Sequence, residues 1–431
     1  MLIRFRRLFR EPVMSMVAVG LAVTLLACGW IQIGFVFRYQ RSLRSTFRRE
    51  TSPVGDATWT PRAAIILCVR GYDPLLDECL RGLLNQDYPD YVVHVVVDSL
   101  QDPAWAALSG WQQKFGSERL RLSVLRDRRK TCSLKCSSLV QAIDDLDSSI
   151  EVVALIDADV NPLQNWLREL VSPLADSGVG LSTGNRWFEP NGERWGTKVR
   201  AVWNAGAVIQ MFNFEIPWGG SMAMRRADVE QHRITDNWSR SFNDDVILRE
   251  LFHQAGQRIH CVPQLLMVNR EEVSLAQLWD WSLRQCLQVW LYHQNARQVG
   301  YFNVAVSLLT VAHLVGPPIY WSLGQTASAT MLLIGLAGYL LNMMGLVLWI
   351  ESLAQRLLRL QQQSVASLNW SVLWMMPLAH LVYGYSSVSV LFRRTLLWRG
   401  VRYRIHAPLR VEVLSDVPFT GLNEGLNVSI I

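Results

Sequence analysis

Apolar positions along the chain follow three different patterns, and each predicts a different kind of element. Residues 13–36 carry no charge over about the length that crosses a bilayer, and arginine-rich segments flank them on both sides. No small-residue cleavage site is evident, so residues 1–37 predict an uncleaved membrane anchor, with a cleaved signal peptide as the alternative. The following flank holds more arginines, which favours a cytoplasmic position for residues 38 onward.

The second pattern begins near residue 63 and ends near residue 262. Short runs rich in Val, Ile and Leu, such as AAIILCVR, YVVHVVVDS and EVVALID, alternate with amphipathic segments such as PLLDECLRGLLNQ. Near-continuous apolar strands separated by helices are typical of a mostly parallel sheet that is covered on both faces. We therefore predict an α/β domain over residues 50–272, with a Rossmann-like mixed, mostly parallel sheet.

The third pattern starts at residue 273 and is rich in tryptophan. Residues 273–298 predict an amphipathic helix in the membrane interface, and the region 301–392 predicts C-terminal membrane segments. Two of these, 301–323 and 326–350, have the length and composition of spans. Residues 370–392 are interrupted by proline, glycine and serine, and a third span there would export the arginines of the basic tail 393–431. The positive-inside rule therefore favours a re-entrant or interfacial element.

Composition supports a membrane protein. Half of the 431 residues are hydrophobic, the net charge is +6, and the arginines cluster beside the apolar stretches. This favours a membrane surface over nucleic acid as a partner, and no zinc-finger spacing or RNA-binding motif is evident. A transporter is disfavoured because the predicted spans are few and nearly free of ionisable residues. We expect an integral protein of the cell (inner or plasma) membrane, with its catalytic domain in the cytoplasm.

Candidate chemistry lies where predicted strands end. Asp98 ends the run VVVDS, while Asp157 and Asp159 end the run VALIDAD. Open parallel sheets bind ligands at the carboxyl ends of their strands. Two carboxylates two residues apart predict a Mg²⁺ or Mn²⁺ site that is completed by substrate phosphates. The alternative is that Asp159 caps a helix.

Further motifs occur in a characteristic order. The segment 63–89 contains the strand, helix and QDYP ending, the acids at 98 and 157–159 follow, and GGSMAMRRADV (219–229) and FNDDVILRELFHQAG (242–256) complete the series. In this order the chain resembles the family 2 inverting glycosyltransferases, membrane-bound enzymes with a GT-A fold that include cellulose, hyaluronan and ceramide glucosyltransferases. The resemblance implies an α/β GT-A domain with N- and C-terminal transmembrane helices.

The resemblance also implies roles for particular residues. Asp98 would contact the nucleotide base, Asp157 and Asp159 would hold the metal-bound diphosphate, and Asp245, next to Asp244, would be the catalytic base. The remaining implied residues are Lys135 near the nucleotide, Arg284 at the diphosphate, and Trp218, Gly219, Gly220 and Ser221 on the acceptor side.

Three of these assignments have alternatives. Asp245 could cap the following helix, Lys135 could be a surface lysine, and the interfacial motif could instead run from Gln285 to Trp290. The acid pair is Asp-Asp where the family has Glu-Asp.

The tail WRGVRYRI (398–405) resembles that of ceramide glucosyltransferase-like and hopanoid-type enzymes, which transfer sugar to a membrane lipid. We therefore expect metal-dependent transfer, with inversion, from a nucleotide-sugar donor such as a UDP-hexose to a lipid acceptor in the bilayer. A small polysaccharide synthase of the same family and a non-catalytic membrane scaffold on a GT-A fold are the alternatives.

Overall fold

The computed structural model describes residues 2–48, 59–190, 192–363 and 365–420. The strands are β1 (Ala63–Val69), β2 (Tyr91–Val97), β3 (Leu120–Val124), β4 (Val152–Ile156), β5 (Val179–Phe188), β6 (Ser221–Arg225), β7 (Arg258–Asn269), β8 (Thr395–Trp398), β9 (Val401–Ala407) and β10 (Arg410–Ser415). The helices are α1 (Leu2–Arg48), α2 (Leu76–Leu84), α3 (Pro103–Phe115), α4 (Leu134–Asp144), α5 (Trp166–Val171), α6 (Trp195–Phe214), α7 (Arg226–Gln231), α8 (Ile234–Trp238), α9 (Val246–Gln254), α10 (Leu275–Tyr292), α11 (Ala296–Ser322), α12 (Thr326–Leu360), α13 (Trp370–Leu373) and α14 (Met376–Ser389).

Seven strands form the central sheet, in the order β3-β2-β1-β4-β6-β5-β7. The β1–β2, β1–β4, β2–β3 and β5–β7 pairs are parallel, and β6 is antiparallel to both β4 and β5. Side chains alternate between the faces of a strand, so Ala64 and Ile66 join the hydrophobic cluster around α4, while Ile65 and Leu67 join the cluster around α2 and α5. The predicted mixed, mostly parallel sheet is confirmed.

Three helices are long and apolar enough to cross a membrane, over Val13–Arg44, Ala296–Ser322 and Thr326–Leu360. Helix α1 packs against α11 and α12, and it also touches α6 of the sheet domain. Helix α14 has 14 residues, so its length of about 21 Å falls short of the roughly 30 Å hydrocarbon layer. It packs against α6, α10 and α11 instead.

Helix α10 begins at a capping box in which the Ser274 and Gln277 side chains bond reciprocally to backbone N–H groups. It packs against α6, α9, α11 and α14. The Trp281 ring is buried and makes edge contacts with Phe188 and Trp203. The predicted amphipathic helix therefore joins the sheet domain to the membrane helices, with part of its tryptophan face inside the protein.

The basic tail contains a folded unit that the sequence analysis did not predict. Strands β8, β9 and β10 form an antiparallel sheet, and the Tyr403 hydroxyl accepts a hydrogen bond from the Leu134 N–H at the start of α4 (3.3 Å). Both Trp398 and Tyr403 pack edge-on against the buried Phe242 ring. The small sheet is therefore part of the wall of the α/β domain.

Candidate active site

Helix α10 contributes to the walls of two adjacent cavities. The first, here called the polar cavity, opens at the carboxyl ends of β1, β2 and β4. Its wall includes five acids and five cations, namely Asp73, Asp98, Asp157, Asp159, Asp244, Arg70, Lys135, Arg186, Arg284 and Arg399. The structure therefore brings the predicted Asp98, Asp157, Asp159, Lys135, Arg284 and Asp244 to one place.

Lys135 links two of the predicted acids. It lies in the first turn of α4, and its Nζ is 2.8 Å from Asp157 Oδ1 and 2.9 Å from Asp244 Oδ2. Burial opposes a charge on Lys135, but the two carboxylates outweigh burial and hold its pKa well above the ordinary value. Burial likewise raises the pKa of Asp157, but Lys135 and Arg186 bring it below normal. Lys135 is thus a fixed cation inside the cavity, and the surface-lysine alternative does not hold.

Asp159 is held by a different set of groups. Its Oδ2 accepts a hydrogen bond from Asn269 Nδ2 at 3.0 Å and lies 3.5 Å from Arg186 Nη1. The Arg186 guanidinium in turn stacks over the Trp218 ring, 4.8 Å from its centroid. Asp159 precedes α5 by several residues and does not occupy its N-cap position, which is Asn165. The helix-cap alternative for Asp159 is therefore wrong.

Arg284 projects from α10 into the polar cavity and forms no ion pair with any acid in the described part of the chain. Its guanidinium stacks over the Trp398 ring, 4.7 Å from the centroid. Burial, together with the neighbouring Arg186 and Arg399, lowers its pKa to about 10, against the opposing pull of the cavity acids. Such a cation favours an anionic ligand, as predicted for the diphosphate. Gln285 and Trp290, the two ends of the alternative motif, line the second of the two cavities instead.

Asp98 is already fully engaged by protein groups. Its Oδ1 lies 2.5 Å from Arg70 Nη1 and 2.9 Å from Arg128 Nη1, and its Oδ2 accepts a hydrogen bond from the Phe419 N–H at 3.0 Å. Only 2% of its side chain is exposed. Asp98 thus joins the sheet domain to the segment after β10. For Asp98 to contact a nucleotide base, Phe419 would have to move away from its carboxylate.

Asp245 lies at the N-cap of α9 and faces the second cavity. Its Oδ1 accepts hydrogen bonds from the Val246 N–H at 2.6 Å and Asn243 Nδ2 at 2.7 Å, and its Oδ2 accepts one from the Gly219 N–H at 2.8 Å. Burial and the adjacent Asp244 raise its pKa to about 6, against these hydrogen bonds and Lys135. The capping alternative is thus correct, and the same carboxylate has the pKa of a general base near neutral pH.

The four residues predicted for the acceptor side, Trp218 to Ser221, lie in different environments in the structure. A Cβ atom on Gly219 would lie 2.2 Å from Asp244 Oδ2, and one on Gly220 would lie 2.2 Å from the Trp218 ring, so only glycine permits this close packing. Trp218 lines the second cavity. Ser221, in contrast, is fully buried in β6, and its Oγ accepts a hydrogen bond from Trp166 Nε1 at 2.9 Å. This corrects the prediction for Ser221, which belongs to the core.

The second cavity, here called the apolar cavity, is bounded by α6, α10, α11 and α14. Aromatic and aliphatic side chains dominate its wall, including Trp203, Trp281, Val299 and Tyr383. Trp203, Ala207 and Tyr383 also line a further cavity that continues between α1, α11 and α12. The cavity that Asp245 faces therefore shares wall residues with a cavity among the helices that could cross a membrane.

Several site residues were absent from the sequence analysis. Arg186, Arg399 and Asp73 line the polar cavity, and Arg186 and Gln288 line both cavities. An arginine inside the apolar strand β5 was the available signal for Arg186. Arg399 lies in the segment WRGVRYRI, which was noted only for its resemblance to the tails of ceramide glucosyltransferase-like enzymes and was assigned to the basic tail.

Asp157 and Asp159 fit the ligand requirements of a divalent metal. Their carboxylates are hard oxygen donors, about a quarter exposed to the polar cavity (26% and 25%). The described residues contain no group of three or more His, Cys, Asp or Glu side chains that could enclose a metal. The donor set therefore suits Mg²⁺ or Mn²⁺ that takes its remaining ligands from a bound phosphate and water.

The mixed sheet with acids at the carboxyl ends of its strands is the architecture of a GT-A glycosyltransferase, and three helices in the described part of the chain could span a membrane. The sequence model of glycosyl transferase family 21 matches residues 14–410, and the chain belongs to that family. This confirms the predicted resemblance to ceramide glucosyltransferase-like enzymes, the fold class and the expectation of an enzyme that transfers a hexose from a nucleotide sugar.

Individual relatives are distant. Glycosyltransferase AglE of Haloferax volcanii is 27% identical over 135 residues, which cover 31% of this chain and 42% of AglE. Among solved structures, the mannosyltransferase PcManGT from Pyrobaculum calidifontis, in complex with GDP-Man and Mn²⁺, is 19% identical, with a TM-score of 0.46 over 87% of this chain and 99% of that one. Glucosyl-3-phosphoglycerate synthase from Mycobacterium tuberculosis, with Mn²⁺, UDP and phosphoglyceric acid, is 16% identical, with a TM-score of 0.33 over 52% and 75%.

Proposed function

We propose that the protein transfers one sugar, with inversion, from a nucleotide-sugar donor such as a UDP-hexose to a hydroxyl group of a membrane lipid. One observation carries the proposal: Asp245 faces an apolar cavity that adjoins the further cavity between α1, α11 and α12, while its neighbour Asp244 faces the polar cavity. Ligand sites of this kind combine an apolar lining with few well-placed polar groups. A lipid in the apolar cavity would bring its hydroxyl to Asp245.

The donor would occupy the polar cavity. Asp157 and Asp159 would hold Mg²⁺ or Mn²⁺, which when bound neutralises charge on the leaving diphosphate. Arg284 supplies a further positive charge from α10, and Lys135 holds the Asp157 and Asp244 carboxylates in place. Preorganised charges of this kind stabilise the leaving group as negative charge develops on it.

Asp245 would act as the general base. Its carboxylate takes the proton of the acceptor hydroxyl while that oxygen attacks the anomeric carbon, and the bond from that carbon to the diphosphate breaks. Attack opposite to the leaving group inverts the anomeric centre, so an α-linked donor gives a β-glycoside. A pKa of about 6 leaves most of the base ionised at neutral pH.

The orientation in the membrane remains part of the proposal. The arginines that follow the first span favour a cytoplasmic catalytic domain in the cell membrane. A fluorescent protein that folds only in the cytoplasm, fused after Ile431, would report the side of the C-terminal sheet. Absence of its fluorescence in cells that contain the full-length fusion would contradict this orientation.

The proposed reaction can be tested with purified protein in liposomes made from a bacterial lipid extract. UDP-glucose, UDP-galactose, UDP-N-acetylglucosamine and GDP-mannose are supplied separately with Mn²⁺ or Mg²⁺, and products are identified by mass spectrometry. We expect one lipid to gain one sugar, and a chelator to stop the reaction until metal is restored. A ladder of sugars would instead support a glycan synthase, while no turnover of any donor would support a scaffold.

A further inference from the structure

The motif Trp398-Arg399-Gly400 is the tip of a two-residue hairpin between β8 and β9. Trp398 pairs with Val401 across the turn, and Arg399 and Gly400 both have left-handed backbone angles, with φ of 49° and 75°. Two successive residues with positive φ are required by a type I′ turn, which matches the twist of the flanking strands. This tight turn carries Trp398 and Arg399 into the wall of the polar cavity.

The hairpin tip is fixed to the loop after β1. Arg70 Nε donates a hydrogen bond to the Arg399 carbonyl oxygen at 2.7 Å, and Arg399 Nη1 donates one to the Arg70 carbonyl oxygen at 3.3 Å. The only acid near the Arg399 guanidinium in the described part of the chain is Asp73, at 4.0 Å from Nη2. The side chain is a quarter exposed, so it is held over the cavity with most of its hydrogen-bonding capacity unused.

Arg399 shares this cavity with Arg284 and Arg186. Arg284 stacks on Trp398 of the same hairpin tip, so the hairpin positions two guanidinium groups at once. Like charges brought together in a partly buried cavity repel each other, and a multivalent anion between them relieves this repulsion. Guanidinium groups bind phosphate through paired, charge-assisted hydrogen bonds.

We propose that Arg399 is a donor-binding residue that contacts the diphosphate of the nucleotide sugar, which makes the C-terminal hairpin part of the active site. The proposal rests on the assignment of the polar cavity to the donor. It gives a function to the WRG motif, and it explains why a segment far away in sequence is fastened to the loop after β1.

The test compares nucleoside diphosphates with monophosphates. Binding of UDP, GDP, UMP and GMP to the full-length protein is measured by calorimetry in detergent with Mn²⁺. Arg399→Asn removes the guanidinium, and asparagine tolerates the left-handed backbone at this position. The asparagine side chain is shorter, so its amide cannot reach the place that the guanidinium occupies. Arg402→Asn is the matched control, because Arg402 lies exposed on the same hairpin outside the cavity. Arg399→Lys retains the charge without the paired geometry.

We expect Arg399→Asn to weaken the diphosphate that binds the wild type by about 10- to 100-fold. Arg399→Lys should fall between Asn and the wild type, and the matching monophosphate should change by less than about threefold. Equal losses for diphosphate and monophosphate, or equal losses in Arg399→Asn and Arg402→Asn, would overturn the role of Arg399. Wild-type protein that binds neither UDP nor GDP would overturn the donor assignment itself, and this proposal with it.

Discussion

The polar and apolar cavities share Arg186 and Gln288 but differ in their other lining residues and in the charge of their walls. The polar cavity collects ten charged side chains, whereas only Arg186 and Asp245 bring formal charge to the described wall of the apolar cavity. The boundary runs between two consecutive residues, since Asp244 pairs with Lys135 and Asp245 faces the apolar side. Under the proposed function, this division lets one acid pair serve both a charged donor and an apolar acceptor.

The difference also explains the contrasting chemistry of the two acids. Asp244 lies 2.9 Å from a lysine that compensates its charge. Asp245 accepts hydrogen bonds from backbone and amide donors, and burial together with Asp244 raises its pKa to about 6 although Lys135 acts in the opposite direction. The environment of Asp244 holds its carboxylate in an ion pair, and the environment of Asp245 favours uptake of a proton.

The largest effect that would test this division is expected from Asp245→Asn. The amide cannot accept the proton of the acceptor, so kcat should fall by about 10²- to 10⁴-fold, with nucleotide binding within a few-fold of wild type. Asp244→Asn is the matched variant one residue away, and it should alter nucleotide binding because Lys135 loses one of its partners. Turnover assays and calorimetry separate the two, and an unchanged kcat in Asp245→Asn would contradict the base assignment.

Asp98→Asn tests whether an acid of the polar cavity binds ligand or holds the fold. Removing one partner of a buried ion pair costs about 3–5 kcal/mol. Asp98→Asn takes the anionic partner from Arg70, while Arg128 keeps its ion pair with Asp416. We expect a clear drop in the melting temperature in detergent. Asp127→Asn should leave it unchanged, because Asp127 is 65% exposed. Loss of nucleotide binding without a drop in melting temperature would instead favour a direct contact between Asp98 and the nucleotide base.

The behaviour of Asp98 shows what sequence can and cannot predict about this site. The end of an apolar strand can be recognised locally, so the positions of Asp98, Asp157 and Asp159 at one sheet edge were predictable. The partners of Asp98 were not, because Arg128 follows β3 and Phe419 lies beyond β10. Asp98 lies 30 positions from Arg128 and 321 positions from Phe419, and contacts at such separations leave no periodic signal.

The same limit applies to the elements around the cavities. The alternation of strands and helices predicted the central sheet, and uncharged length predicted the membrane helices. Strands β8 to β10 are short and rich in arginine, so the segment was assigned to a basic tail although β9 alternates buried and exposed residues. Ser221 was misplaced for a related reason, since a motif gives its position but not the side of the strand that it faces.

A smaller effect is expected from narrowing the apolar cavity. Ala207 on α6 lines both the apolar cavity and its continuation between the membrane helices. Ala207→Phe should obstruct this path and raise the KM for the lipid by about tenfold, the cost of misplacing one to two methylene groups, with nucleotide binding unchanged. Ala207→Val should have an intermediate effect. Equal KM values in all three proteins would place the acceptor elsewhere.

The smallest effect is a shift in pH dependence, and it tests the boundary between the two acids directly. The base must be ionised, so kcat/KM should rise with pH and level off above about 6, the pKa of Asp245. Asp244 is one of the groups that raise this pKa. Removing its negative charge in Asp244→Asn favours the ionised form of Asp245, so the inflection should move to lower pH. Asp73→Asn also removes a charge from the polar cavity, but Asp73 is not among the main groups that shift the pKa of Asp245. If both variants moved the inflection equally, the two acids would respond to the total charge of the cavity, and the local division between Asp244 and Asp245 would be wrong.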